Sequence, residues 1–110
     1  MGPVTRLVLE PLTGRPGLKV TGEINISNRT VWTGTLEKLA SVKLAVAEPD
    51  IHLELSGLRM VDAGGAAAVA ATAQRLTPRG RVVLHDPPPA LCRILDLLWP
   101  EAAGIEVARR

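Results

Sequence analysis

Residues 51–76 read IHLELSGLRMVDAGGAAAVAATAQRL, an apolar strand that runs into a tight turn and then into a helix of small residues. Ile51, Leu53 and Leu55 alternate with polar residues, which is the period-two pattern of a strand with one buried face. After Asp62 the apolar residues fall at helical spacing, at Ala66, Val69, Ala70, Ala73 and Leu76. This stretch therefore predicts a strand followed by a helix that begins close to Asp62.

The turn between that strand and that helix is the predicted functional site. Asp62 or its neighbour can accept hydrogen bonds from the unpaired amides of the first helical turn. Gly64 and Gly65 carry no side chain, so we expect them to leave the start of the helix bare. A bare helix start exposes backbone donors and positive dipole charge, which suits a docking surface or an anion site. The alternative is a plain capped turn.

Composition excludes several classes of function. The chain has 110 residues, of which 46% are apolar and 22% charged, and this predicts one globular domain over residues 1–110. The net charge is only +2 and the basic residues are scattered, which argues against a nucleic-acid partner. Trp32 and Trp99 are the only residues of the Phe, Tyr and Trp types, so modules that stack bases on aromatic rings are also disfavoured.

The reactive residue types are sparse. Cys92 is the only cysteine, so neither an internal disulfide nor a paired-cysteine metal or redox site can form. His52 and His85 have no acid and nucleophile close by in sequence, and we interpret both as non-catalytic. We therefore expect no catalytic residue, no metal and no cofactor, and a protein that is not an enzyme.

No stretch approaches the length of a membrane span, and the first residues, MGPVTRLVLEPLTGRPG, lack an apolar signal core. We expect a cytoplasmic location and no direct insertion into a membrane.

Further strands and helices are predicted on both sides of the central stretch. Apolar runs predict strands at residues 7–9, 18–24, 81–85 and 105–107. An apolar stripe from Val31 to Ala40 predicts a helix, for which Asn25, Ser27 and Asn28 are candidate N-caps. A second amphipathic helix follows the prolines at residues 87–89 and carries its apolar residues at Leu91, Ile94, Leu95 and Leu98. This alternation predicts an α/β fold with parallel strands and right-handed crossovers.

Three strings together resemble the STAS domain, a family named for sulphate transporters and anti-sigma factor antagonists. They are VTGEINISN at residues 20–28, HLELSGLRMVDAGG at residues 52–65 and RVVLHDPPPALCRILDLL at residues 81–98. The resemblance spans nearly the whole chain. It implies a mixed sheet of about five strands with three to four helices largely on one side.

The resemblance also implies a function. Stand-alone bacterial members bind an anti-sigma factor that is also a serine kinase, and so free a sigma factor for transcription. The kinase phosphorylates a serine in a D-S-S-G string at the start of the second helix. Here residues 62–65 read Asp-Ala-Gly-Gly, which places Gly64 at the phosphorylated position. The charge of about −1.5 to −2 that a phosphate brings cannot be added there.

A second departure from the family lies in the loop before the first helix, where Asn25 replaces the acidic residue that switch members often carry. Without the serine, three interpretations remain open: an antagonist that is always competent to bind, one controlled by partner abundance or by another modified residue, and a domain that kept the fold for a different interaction. The predicted partner-binding residues are Asn25, Ser27, Asn28, Asp62, Ala63, Gly64, Gly65 and Ala66.

Two alternative functions stay open. One is a soluble STAS subunit attached to a membrane transporter, as in bacterial lipid-trafficking ABC systems. The other is an enzyme or weak nucleotide binder, which is disfavoured because the chain has no phosphate loop of the G-x-x-x-x-G-K-[ST] kind. For the leading function we expect an anti-sigma factor and serine kinase as the partner, and a monomer or weak homodimer.

Overall fold

The fold was obtained as a computed structural model that describes residues 6–45 and 50–109. Five strands form one sheet in the order β1-β2-β3-β4-β5, and three helices accompany it. The elements are β1 Leu7–Pro11, β2 Gly17–Ile24, α1 Arg29–Lys43, β3 Ile51–Val61, α2 Ala63–Leu76, β4 Val82–His85, α3 Pro89–Leu98 and β5 Ile105–Ala108. The predicted fold class and order of elements are confirmed.

The sheet is mixed, with one antiparallel strand at its edge. β1 pairs antiparallel with β2, whereas β2, β3, β4 and β5 are successive parallel neighbours. Parallel neighbours need a crossover connection, and each helix supplies one. α1 packs on α2 and α2 packs on α3, so the three helices form a single layer against the sheet.

The core lies between the sheet and that helical layer. Ile51, Leu53 and Leu55 of β3 are buried, as their alternation predicts. Trp32 of α1 is also buried, and its indole Nε1 donates a hydrogen bond to the carbonyl of Gly65 at 3.1 Å. Among the described residues, no helix combines the length and the hydropathy needed to cross a bilayer.

One edge of the sheet brings two helix starts together. Because β2 and β3 are parallel, their carboxyl ends lie at the same edge, and α1 and α2 both begin just beyond it. The backbone N–H of Asp62 donates to the carbonyl of Ile24 at 3.1 Å, which joins the ends of the two strands. The predicted functional turn therefore lies beside the loop that leads into α1.

Candidate functional site

Asp62 caps the second helix. Its Oδ1 accepts a hydrogen bond from the backbone N–H of Gly65 at 2.8 Å, and its carbonyl accepts from the N–H of Ala66 at 3.0 Å. Asp62 has extended backbone geometry, as an N-cap residue requires. The prediction that Asp62 caps a helix is thus confirmed. We call residues 23–31 and 59–66, which surround this cap, the Asp62 corner.

The two glycines after Asp62 do not leave the helix start bare, so that prediction is wrong. A Cβ added to Gly64 would lie 2.6 Å from Arg29 Cζ, because the arginine side chain lies across this glycine. A Cβ added to Gly65 would lie 2.7 Å from a methyl group of Ile24 and 2.7 Å from one of Val61. Gly64 is covered by a side chain from α1, and Gly65 lets α2 pack closely against the strand ends.

The loop before α1 is held by its own polar side chains. Asn25 Oδ1 accepts hydrogen bonds from Ser27 N at 2.9 Å and Ser27 Oγ at 2.6 Å. Asn28 Oδ1 accepts from Asn25 N at 3.0 Å, and Asn28 Nδ2 donates to the carbonyl of Glu23 at 2.9 Å. Asn28 occupies the N-cap position of α1, but its side chain makes no capping bond. It closes the loop instead, so the prediction of side-chain capping at α1 is wrong.

The predicted partner-binding residues differ in how far they reach the surface. Ser27 and Ala63 are exposed, while Asn25, Asn28, Asp62 and Gly64 are half-buried. Gly65 and Ala66 are buried. These last two residues shape the corner by allowing close packing and cannot themselves offer a side chain to a partner.

Exposed apolar side chains stand out at this corner. Ile26 and Met60 were not predicted, and Val31, which the sequence places on the apolar stripe of the first helix, is exposed and not buried. Among the described residues, seven large apolar side chains are exposed, and three of them belong to the corner: Ile26 at 81%, Val31 at 60% and Met60 at 58%. Ile26 follows the end of β2, and Met60 pairs with Glu23 near the end of β3. The available signal was an isoleucine within the polar string Asn-Ile-Ser-Asn.

Two ion pairs cross the corner. Arg29 Nη2 lies 3.5 Å from Asp62 Oδ2, and Arg59 Nη2 lies 3.5 Å from Glu23 Oε2. Both are long and partly exposed to solvent, so each contributes little to stability. The corner thus combines exposed apolar side chains, two weak ion pairs and a capped helix start.

Comparison with known families identifies the fold. A family model described as Mlab, STAS domain matches residues 11–98. The chain belongs to the STAS domain family. The resemblance predicted from the three sequence strings is therefore confirmed. No curated protein sequence matches this STAS domain at a significant level.

Two solved structures similar to this STAS domain are of SpoIIAA. The anti-sigma factor antagonist SpoIIAA in its unphosphorylated form superposes with a TM-score of 0.65 and 19% identity, over 94% of this chain and 87% of that one. The Bacillus cell fate determinant SpoIIAA in the phosphorylated form gives a TM-score of 0.63 and 19% identity, over 94% of this chain and 91% of that one. At this identity the likeness establishes the shared fold.

A pair of histidines lies outside the corner of this STAS domain. His52 Nδ1 is 2.9 Å from His85 Nε2, and the two rings stack with their centroids 5.1 Å apart. Arg15 Nη1 is 3.4 Å from the same His85 Nε2. Because arginine only donates, His85 Nε2 is the acceptor in this contact. The two histidines are 33 residues apart in sequence, and the parallel pairing of β3 with β4 brings them together.

The environment of His52 favours its neutral form. Burial lowers the pKa of His52 below its usual range, and the nearby cation of Arg15 lowers it further. His85 and Arg81 act in the same direction, whereas the carboxylate of Asp50 opposes them. Within the described ranges, no group of three or more His, Cys, Asp and Glu residues is placed to hold a metal ion.

Proposed function

We propose that this STAS domain is a non-enzymatic protein-interaction module that resembles an anti-sigma factor antagonist and binds a kinase-type anti-sigma factor at the Asp62 corner. The proposal rests on the exposure of Ile26, Val31 and Met60 beside the capped start of α2. Exposed apolar side chains among polar residues are typical of surfaces that bind other proteins. The likeness of the fold to SpoIIAA supports the choice of partner.

The mechanism is competitive binding, through which the domain occupies the anti-sigma factor and frees a sigma factor for transcription. A stable complex would bury roughly 1,200–2,000 Å² in total. The domain acts in the cytoplasm, as a single domain that is monomeric or weakly dimeric.

Regulation at the corner differs from a serine switch. Positions 63 and 64 are alanine and glycine, so neither provides a hydroxyl for phosphorylation. The side chain of Arg29 covers Gly64. We propose that the domain is always competent to bind, and that partner abundance or another modified residue sets how much complex forms.

Titration calorimetry tests this function, with the purified kinase-type anti-sigma factor encoded in the same genome. Ile26→Ser and Met60→Ser should each weaken binding about tenfold, which corresponds to ~1.4 kcal/mol of lost apolar contact. Val42→Ser is the matched control, because Val42 is comparably exposed but lies near the far end of α1. Failure of the wild-type domain to bind at saturating concentration, or an equal loss with Val42→Ser, would contradict the proposal.

A second candidate function is that of the soluble STAS subunit of a membrane transporter complex. The observation that favours it is the matching family model, which is described as Mlab, STAS domain and not as an antagonist. The same titration with the ATPase subunit of an ABC transporter from the same genome separates the two. Binding to the ATPase and not to the kinase would assign the domain to the transporter.

A further inference from the structure

We infer that the partner of the Asp62 corner is a protein that presents carboxylate side chains to Arg29 and Arg59 and apolar side chains to Ile26 and Met60. This inference rests on the proposed function, since it names the chemistry of the partner at the same surface. It holds for either of the two candidate partners.

The two partners of each ion pair at the corner are not equally exposed. The side chain of Arg29 is 41% exposed and that of Asp62 34%, while Arg59 is 74% exposed and Glu23 only 32%. In both ion pairs the cation is therefore the more exposed partner. A protein that binds the corner can therefore contact a larger fraction of each arginine side chain than of its acidic partner.

Arg29 is held in an unfavourable place by weak contacts. It is the first residue of α1, where the positive end of the helix dipole disfavours a cation. Its ion pair with Asp62 is long at 3.5 Å. Its Nε is buried and has no hydrogen-bond partner among the described residues. An unpaired buried donor is costly. A partner that drew the Arg29 side chain away from Gly64 and accepted hydrogen bonds from all of its N–H groups would therefore be favoured.

A carboxylate is the acceptor that best matches the N–H donors of an arginine side chain. The guanidinium presents its N–H donors in a planar fork that matches the two oxygens of a carboxylate. Arg59 offers a second fork on the other strand end, next to Met60. Acidic side chains on the partner would pair with Arg29 and Arg59, and apolar side chains beside them would cover Ile26 and Met60.

A protein fits this surface better than an anionic membrane or a nucleic acid. Both of those partners select clusters of several cations. Here the two arginines are interspersed with Glu23 and Asp62, whose carboxylates would repel a row of phosphates. Exposed apolar side chains among mixed charges are instead typical of protein interfaces.

The test uses the purified kinase-type anti-sigma factor or ABC transporter ATPase, whichever binds the wild-type domain, and measures Kd at low, physiological and high NaCl concentrations. Arg29→Gln and Arg59→Gln should each weaken binding about fivefold to tenfold at low salt, and the double variant should lose most of the salt dependence. Arg81→Gln is the matched control. Arg81 is similarly exposed and pairs with Asp50 and Glu106, at the opposite edge of the sheet.

Each result decides one question. If both arginine variants bind like wild type while Ile26→Ser weakens binding, this inference is overturned and the proposed function stands. If neither purified partner binds the wild-type domain, the proposed function fails and the inference fails with it. If the arginine variants lose affinity for phosphatidylglycerol vesicles and keep their affinity for the protein, the cations serve a membrane and the inference is overturned. Unchanged thermal unfolding of the variants confirms that they are folded.

Discussion

The side chain of Arg29 lies across Gly64, so that a Cβ added at position 64 would come within 2.6 Å of Arg29 Cζ and 2.7 Å of its Cδ. The two residues form a steric pair, in which the arginine fills space that glycine leaves open. Arg29 also forms an ion pair with Asp62 at 3.5 Å. A change at position 64 therefore alters the charges around the helix cap as well.

A double-mutant cycle measures this steric pair. Gly64→Ser should lower the free energy of unfolding by about 0.5–1 kcal/mol more in the natural protein than in an Arg29→Ala background, because only the natural protein must displace the arginine and lose its ion pair. Urea unfolding of the four proteins gives the coupling. Strict additivity would show that Arg29 moves away from Gly64 without cost.

Gly65→Ala should destabilise the domain by about 1–3 kcal/mol, because the added methyl group would overlap the methyl groups of Ile24 and Val61 within the packed core. Gly34→Ala is the control, since a Cβ there meets nothing within 4 Å. In the interior of α1 that change should stabilise the protein by about 0.5–1 kcal/mol. Thermal and urea unfolding compare the two variants, and similar effects at both glycines would disprove the packing argument.

Asp62→Ala should cost about 1 kcal/mol of unfolding free energy, because the first turn of α2 loses its side-chain acceptor. Asp62→Asn keeps an oxygen that can cap but removes the charge that faces Arg29. We expect the asparagine variant to stay within about 0.5 kcal/mol of the natural protein. Equal losses in urea unfolding would mean that the ion pair, and not the cap, is the main contribution of Asp62.

Acid should destabilise the domain through His52. Its pKa is lowered in the folded state, chiefly by burial, so below the ordinary value of about 6.5 the unfolded chain binds more protons. The stability present above pH 6.5 is then lost as the pH falls through the folded-state pKa. Melting temperatures between pH 8 and pH 5 measure the loss. His52→Asn, which does not titrate but can still donate to His85, should reduce the slope, and an unchanged slope would rule out this histidine as the cause.

Features that depend on near neighbours in sequence could be predicted. The alternation of Ile51, Leu53 and Leu55 reports one buried face of a strand, and the cap at Asp62 joins residues three apart. Such contacts follow from local backbone geometry, so the residues that form them are visible in a short window. The order of elements could be predicted for the same reason, because each helix and strand has its own local pattern. The family could be predicted because three short strings each match it.

Contacts between distant elements could not be predicted. Arg29 meets Gly64 only because two helices start at one sheet edge, and His52 meets His85 only through the register of β3 with β4. Pairing of β2 with β3 also contains irregularities, which no hydrophobic period reveals. The bare helix start was wrongly predicted because the arginine that covers it belongs to another element.

Asn28 fixes the shape of the segment that carries Ile26. Its side chain binds both Asn25 and Glu23, so the turn is closed on itself in the free protein. This turn therefore keeps the side chain of Ile26 exposed to solvent before any partner binds, and binding does not require the turn to change its conformation. Little conformational entropy remains to be lost when this turn associates, which favours tight complexes even over a small area.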